Sequence, residues 1–239
     1  MMVSRRRFLE VTACAVPGAF AGGRWMSDPS SAPAAGPRCA LVDLGLDCAL
    51  PESLRGFARG LGAAGVPFQS LGVERLGEWV PSAASSLGGT LLVAGGVLRS
   101  PRVAATLSAS VNRGATVVYE SGAAYAGSDD FAKERHLLQE HLGVLVDGPI
   151  DLWDPSAKSD FIPYVHYHWP RQAIVRDFSR MIPVARAQQA FATIDRVPVA
   201  ERVRLGAGEF IFLGSPLGPH LSFDDREALA LMKAFVSGS

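Results

Sequence analysis

The chain has 239 residues, 48% of them apolar and 19% charged, the composition of an ordinary globular domain with a sizeable core and long enough for one large α/β domain. Its 23 basic and 23 acidic side chains cancel, so there is no broad basic field to hold nucleic acid or an anionic membrane surface, and nucleic-acid partners are set aside.

At the N-terminus, Ser4-Arg5-Arg6-Arg7-Phe8-Leu9-Glu10 matches the Ser-Arg-Arg-x-Phe-Leu-Lys pattern of twin-arginine export signals at every place but the last. Residues 11–23 are apolar and rich in small side chains, and Ala19-Phe20-Ala21 offers the small-x-small arrangement that signal peptidase accepts, leaving Gly22 as the first mature residue. Such a run is too short to span a bilayer as a stable helix. The expectation is a leader over residues 1–21 read by the twin-arginine translocase, delivery to the periplasm or otherwise across the bacterial cytoplasmic membrane, and no transmembrane span in the mature form. An alternative within the leader is Val11-Thr12-Ala13-Cys14, which fits a lipoprotein box by residue type and would make Cys14 a lipid-bearing first residue. If Cys14 leaves with the leader, Cys39 and Cys48 remain. They flank a predicted strand whose rise of roughly 20 Å exceeds the ~7 Å limit on Cα separation in a disulfide, so both are expected as free thiols.

Residues 22–37, with Ser30, Ser31, Pro33 and Pro37 among alanines, show no periodicity and are expected to be a tether to a domain over residues 38–239. Residues 39–44 form a run apolar at every position but Asp43, suited to a strand buried on both faces. Leu54, Phe57, Ala58 and Leu61 then recur at helical spacing over residues 51–64. Residues 66–71 and 90–94 predict two more strands. Ser100-Pro101 starts a helix running to Gly114, with a capping hydroxyl and proline at the first helical position. Residues 115–119 predict the fourth strand and residues 131–142 a helix. The alternation argues for a parallel sheet with right-handed crossovers and helices on both faces. Beyond it, residues 162–169, 181–185, 191–197, 201–205 and 209–213 predict short strands forming a small antiparallel extension. Ser222 and Asp225, at capping-box spacing, predict the start of a last helix burying Leu229, Leu231, Met232 and Phe235.

Ligands of open parallel sheets bind outside the carboxyl ends of the strands, where loops diverge and helix N-termini point inward. The rule selects Gly45-Leu46-Asp47, Gly95-Gly96-Val97-Leu98, Glu120-Ser121-Gly122-Ala123 and the loop from Gly214 to His220. Gly95, Gly96, Gly122 and Ser215 are the candidate ligand-binding positions in these loops. Ser121 is a candidate hydroxyl nucleophile, with His220 as base and Asp43 or Asp47 as orienting acid; against it, Tyr119 stands where the first glycine of Gly-x-Ser-x-Gly belongs.

Three segments, Leu91-Leu92-Val93-Ala94-Gly95-Gly96, Val118-Tyr119-Glu120-Ser121-Gly122 and Phe212-Leu213-Gly214-Ser215, together with the order of elements, resemble the class I glutamine amidotransferase-like superfamily, in particular its trehalose-utilisation-type branch. The resemblance implies a three-layer, flavodoxin-like α/β fold from about Cys39 onward. In active amidotransferases the turn after the fourth strand reads Gly-x-Cys-x-Gly, and here Glu120 occupies the cysteine place. A carboxylate cannot form the thioester that glutamine hydrolysis needs, and His220 has no partner glutamate at the family's spacing, so glutamine amidotransferase activity is not expected.

In Tyr164-Val165-His166-Tyr167-His168-Trp169 the strand period puts His166 and His168 on one face, where they are candidate metal ligands with His220, Asp154 or Asp160 as a third. The aromatic rings nearby, Trp153, Tyr164, Tyr167 and Trp169, offer apolar faces to a sugar ring, or else pack the extension on the sheet. No iron–sulfur, haem or dinucleotide motif follows the leader, so the sequence names no cofactor. Two readings stand: an exported domain binding a small molecule, carbohydrate or envelope partner, or a hydrolase or metal-dependent enzyme using some of Glu120, Ser121, His166, His168 and His220.

Overall fold

The computed structural model describes residues 38–79, 89–152, 164–177 and 179–237. The leader, the tether, and Trp153, Asp154 and Asp160 lie outside these residues. Five strands, β1 (Cys39–Asp43), β2 (Phe68–Gly72), β3 (Thr90–Gly96), β4 (Thr116–Ser121) and β11 (Gly208–Leu213), pair in parallel, all but β2 mostly buried. Every residue of β3 is buried, as its unbroken Leu-Leu-Val-Ala run requires when helices cover both faces.

On one face lie α1 (Pro51–Ala63), α4 (Gly218–Ser222) and α5 (Arg226–Ser237), packing Phe57, Leu61, Leu221, Leu231 and Phe235 against Leu41, Leu92 and Ile211. On the other, α2 (Pro101–Asn112) and α3 (Ser128–Leu142) bring Leu107, Val111, Leu138 and Leu142 against Val42, Leu91 and Val117. The three-layer α/β class expected from the sequence is therefore present.

The antiparallel strands continue the same sheet. They are β6 (Tyr164–Tyr167), β7 (Ala173–Arg176), β9 (Ala190–Ile194) and β10 (Val197–Leu205), giving a nine-stranded order β2-β1-β3-β4-β11-β10-β9-β6-β7. A separate pair joins β5 (Ile150–Asp151) to β8 (Arg180–Met181). The sequence places the β9–β10 turn too late. Asp195 and Arg196, both at positive φ (43° and 71°), make the turn, so β9 stops at Ile194 and β10 is a single nine-residue strand from Val197.

The last helix also starts later than Ser222 suggests. Ser222 ends the short α4, and Asp225 is the capping residue, its Oδ1 accepting the Glu227 and Ala228 amides at 2.9 and 3.1 Å. Pro101 occupies the first turn of α2 as expected, but Ser100 makes no side-chain capping bond. Cys39 and Cys48 are free thiols, Cys39 buried and pushed up to about 12 by that burial.

Candidate functional site

Three of the four loops selected by the strand-end rule converge through backbone contacts, and the fourth, from Gly214 to His220, joins them through the Glu120 side chain. The Gly95 carbonyl accepts the Ala49 and Leu50 amides at 3.0 and 3.1 Å, the Asp47 carbonyl accepts Val97 N–H at 2.8 Å, and the Gly96 carbonyl accepts Gly122 N–H at 2.7 Å. Gly95 sits at φ +59°, and a Cβ there would come 2.5 Å from the Leu50 carbonyl oxygen. A Cβ on Gly122 would come 2.2 Å from the Gly95 carbonyl oxygen. These glycines serve the close crossing of one loop over another. Arg99 fastens the same rim, donating to Asp47 at 2.9 Å, to the Leu46 carbonyl at 3.2 Å and to Asp130.

Glu120, next to last in β4, is fully buried. Its Oε2 accepts the Leu217 and Gly218 amides, each at 2.7 Å, tying β4 to the start of α4. Burial pushes its carboxyl up to about 7, against the opposing pull of Ser53 and of these backbone amides. Ser53 Oγ lies near enough to ease the carboxyl's ionisation, yet neither Ser53 Oγ nor Glu120 Oε1 reaches hydrogen-bond geometry with a partner among the described residues. The neighbouring Gly56 approaches α4 so closely that a Cβ would fall 1.8 Å from the Gly218 carbonyl oxygen.

Ser121 points elsewhere. Its hydroxyl donates to Glu134 Oε1 on α3 and accepts Ala123 N–H at 3.1 Å. Glu134 Oε2 takes Leu98 N–H at 2.8 Å and lies 2.9 Å from the Tyr119 hydroxyl, which is equally far from the Gly96 carbonyl. Burial raises the Glu134 carboxyl to about 7, with Ser121, Leu98 and Tyr119 pulling the other way. Glu134 was hidden in the sequence by its charge, although it stands on the apolar stripe of α3 with Leu137 and Leu138.

His220, half-buried on α4, lies near a third buried carboxylate that the sequence did not single out. Asp177 accepts Ser179 N–H at 2.9 Å, the Ser179 hydroxyl at 2.5 Å, and the Ser215 hydroxyl at 2.6 Å. Burial lowers the His220 pKa while Asp177 and Asp225 oppose it, and burial raises Asp177. Among the described residues no hydrogen bond joins any two of Glu120, Ser121 and His220, and Asp43 instead accepts Gly45 N–H.

Trp169 follows β6. Its ring meets Phe191 edge-on at 5.3 Å and Phe235 at 5.8 Å, and the Arg202 guanidinium lies 3.8 Å from its centroid, itself held by Glu209 at 2.6 Å. Arg202 thus covers one ring face. His166 and His168 are exposed and line a groove of about 560 Å³ with Gln172, Ile174 and Glu227. Among the described residues, no group of three or more His, Cys, Asp or Glu side chains is placed to hold a metal ion. None of the described helices is long and apolar enough to cross a membrane.

No family model matches the chain, and no curated protein matches it. Solved structures do. A protein from Bacteroides uniformis described as ThuA-like aligns over 87% of this chain and 94% of its own, with 12% identity and a TM-score of 0.54. An exo-β-1,4-mannosidase from an Opitutaceae bacterium aligns with 84% of this chain at 14% identity and a TM-score of 0.56. A β-galactosidase from Bacillus circulans aligns with 82%, at 14% identity and a TM-score of 0.56. The chain spans about a third of the length of these two glycosidases, 35% and 30% respectively. At such identities the likeness is one of fold alone, an α/β domain built on a mostly parallel sheet.

Proposed function

We propose that the chain is an exported amidotransferase-like module that acts by binding a carbohydrate-related ligand, without hydrolysing it. The observation that carries this reading is the fate of the turn after β4. Glu120, at the position where the family resemblance puts a nucleophilic cysteine, is fully buried and holds the first amides of α4. Ser121 beside it is buried and bonded to Glu134. Both side chains work as parts of the fold, so a substrate would meet no free nucleophile on this turn. The carbohydrate element is supported by the mannosidase and β-galactosidase, in which this fold forms one part of a longer chain. Export through the twin-arginine translocase is supported by Ser4 to Glu10.

The alternative, a hydrolase, draws on the electrostatic contact of His220 with Asp177. Melting curves with a panel of neutral sugars, run beside glutaminase and nitrophenyl-glycoside assays, separate the two. A raised melting temperature with a sugar and no turnover is the expected result. Turnover that disappears in His220→Ala or Ser121→Ala would replace the binding reading with the hydrolase.

A further inference from the structure

The groove beside His166 and His168 lies away from the turn after β4, on the antiparallel half of the sheet. One wall comes from His166 of β6 and His168 just beyond it, a second from Gln172 before β7 and Ala173 and Ile174 on it, a third from Glu227 in the first turn of α5. Its volume of about 560 Å³ falls within the ~300–1,000 Å³ of small-molecule sites.

The lining chemistry narrows the ligand by elimination. No lysine or arginine is among the lining residues, and the guanidinium of the adjacent Arg171 faces the Glu227 carboxylate at 3.6 Å, so a phosphate or other anion has no free counter-charge. Glu227, being partnered by Arg171, has no uncompensated charge to select a cation. A divalent metal lacks a third ligand among the described residues. What remains is a neutral molecule with many hydroxyls. Imidazole nitrogens, an amide and a carboxylate supply donors and acceptors together, and Ile174, 54% exposed, gives a C–H face something apolar to lie against.

We propose that this groove binds one neutral sugar ring, its hydroxyls reaching His166, His168, Gln172 and Glu227 and its apolar face meeting Ile174; the assignment rests on the carbohydrate-binding reading and gives it a place. The test is an NMR titration of the full chain, labelled at histidine and isoleucine, with mannose, galactose and their disaccharides, and separately with inorganic phosphate and zinc.

Saturable movement of the His166, His168 and Ile174 signals with a sugar is expected, with phosphate and zinc leaving them still. Gln172→Ala and Glu227→Gln, checked for an unchanged melting temperature, should each weaken the sugar about tenfold, corresponding to ~1.4 kcal/mol. Sugar binding that leaves these signals still and moves those of His220 overturns the groove while the binding module stands. Movement only with phosphate or zinc overturns the ligand class, and no movement with any sugar overturns the groove assignment. Turnover of a glycoside defeats the non-hydrolytic reading and leaves the groove result to stand by itself.

Discussion

In the parallel half of the sheet, Glu120 and Glu134 lie wholly inside the fold, each carboxylate held by backbone amides or hydroxyls and neither by a cation. In the antiparallel half, His166, Ile174 and Arg176 face solvent, and the buried carboxylates there, Glu201 of β10 and Asp177 just after β7, lie beside exposed faces and are held by neighbouring amides and hydroxyls. The difference follows from topology. Crossover helices cover both faces of the parallel strands, so any polar side chain there must be satisfied internally, whereas the hairpins β6–β7 and β9–β10 bring no helix with them.

The comparison breaks most sharply at the loop crossings. Gly56→Ala forces a Cβ onto the Gly218 carbonyl and Gly122→Ala one onto the Gly95 carbonyl. Each should cost about 3 kcal/mol or more in urea unfolding, while Gly148→Ala, with open space around it, should leave the midpoint unchanged. Glu134→Ala leaves the Leu98 amide and the Ser121 O–H without their acceptor and the Tyr119 hydroxyl with the Gly96 carbonyl alone, for an expected loss of about 3 kcal/mol by the same measurement.

Stability against pH sharpens the contrast. Glu120 and Glu134 are raised from 4.5 to about 7, so between these values the native state keeps protons that the unfolded chain has released. Their contribution is therefore full below about pH 4.5, declines as pH rises and is gone above about pH 7, a swing of up to ~3 kcal/mol for each group. Glu120→Gln should flatten half of that slope in denaturation curves taken from pH 4.5 to 8. On the other half of the sheet, Arg202→Met removes the cation over Trp169 and should cost about 1 kcal/mol. Ile174→Ser, at an exposed site, should change the midpoint by less than ~0.5 kcal/mol.

Long apolar runs made the parallel strands legible, since residues 39–43 and 90–94 have no polar face to confuse the period. The convergence of their loops followed from topology alone. The use of those loops did not: glycine in a sequence looks alike whether a ligand or another stretch of backbone approaches it, and at Gly95 and Gly122 it is backbone. Glu134 escaped notice because its partners Leu98, Tyr119 and Ser121 lie 13 to 36 residues away, and Asp177 because only Ser179 is local while Ser215 lies 38 residues away. The four-residue β7 was missed for want of length, its alternation spanning only Ala173 to Arg176. The turn at Asp195-Arg196 lacks the glycine that usually marks positive φ.

The placement of β1 between two parallel partners also sets how the domain would respond to force. A pull applied at Arg38 along the strand axis would load β1 in shear, with its hydrogen bonds to β2 and β3 resisting together. The same pull applied at the end of α5 would peel a helix from the face of the sheet a turn at a time. A threading machine that unfolds chains from one end would find this domain stiff from the front and yielding from the back.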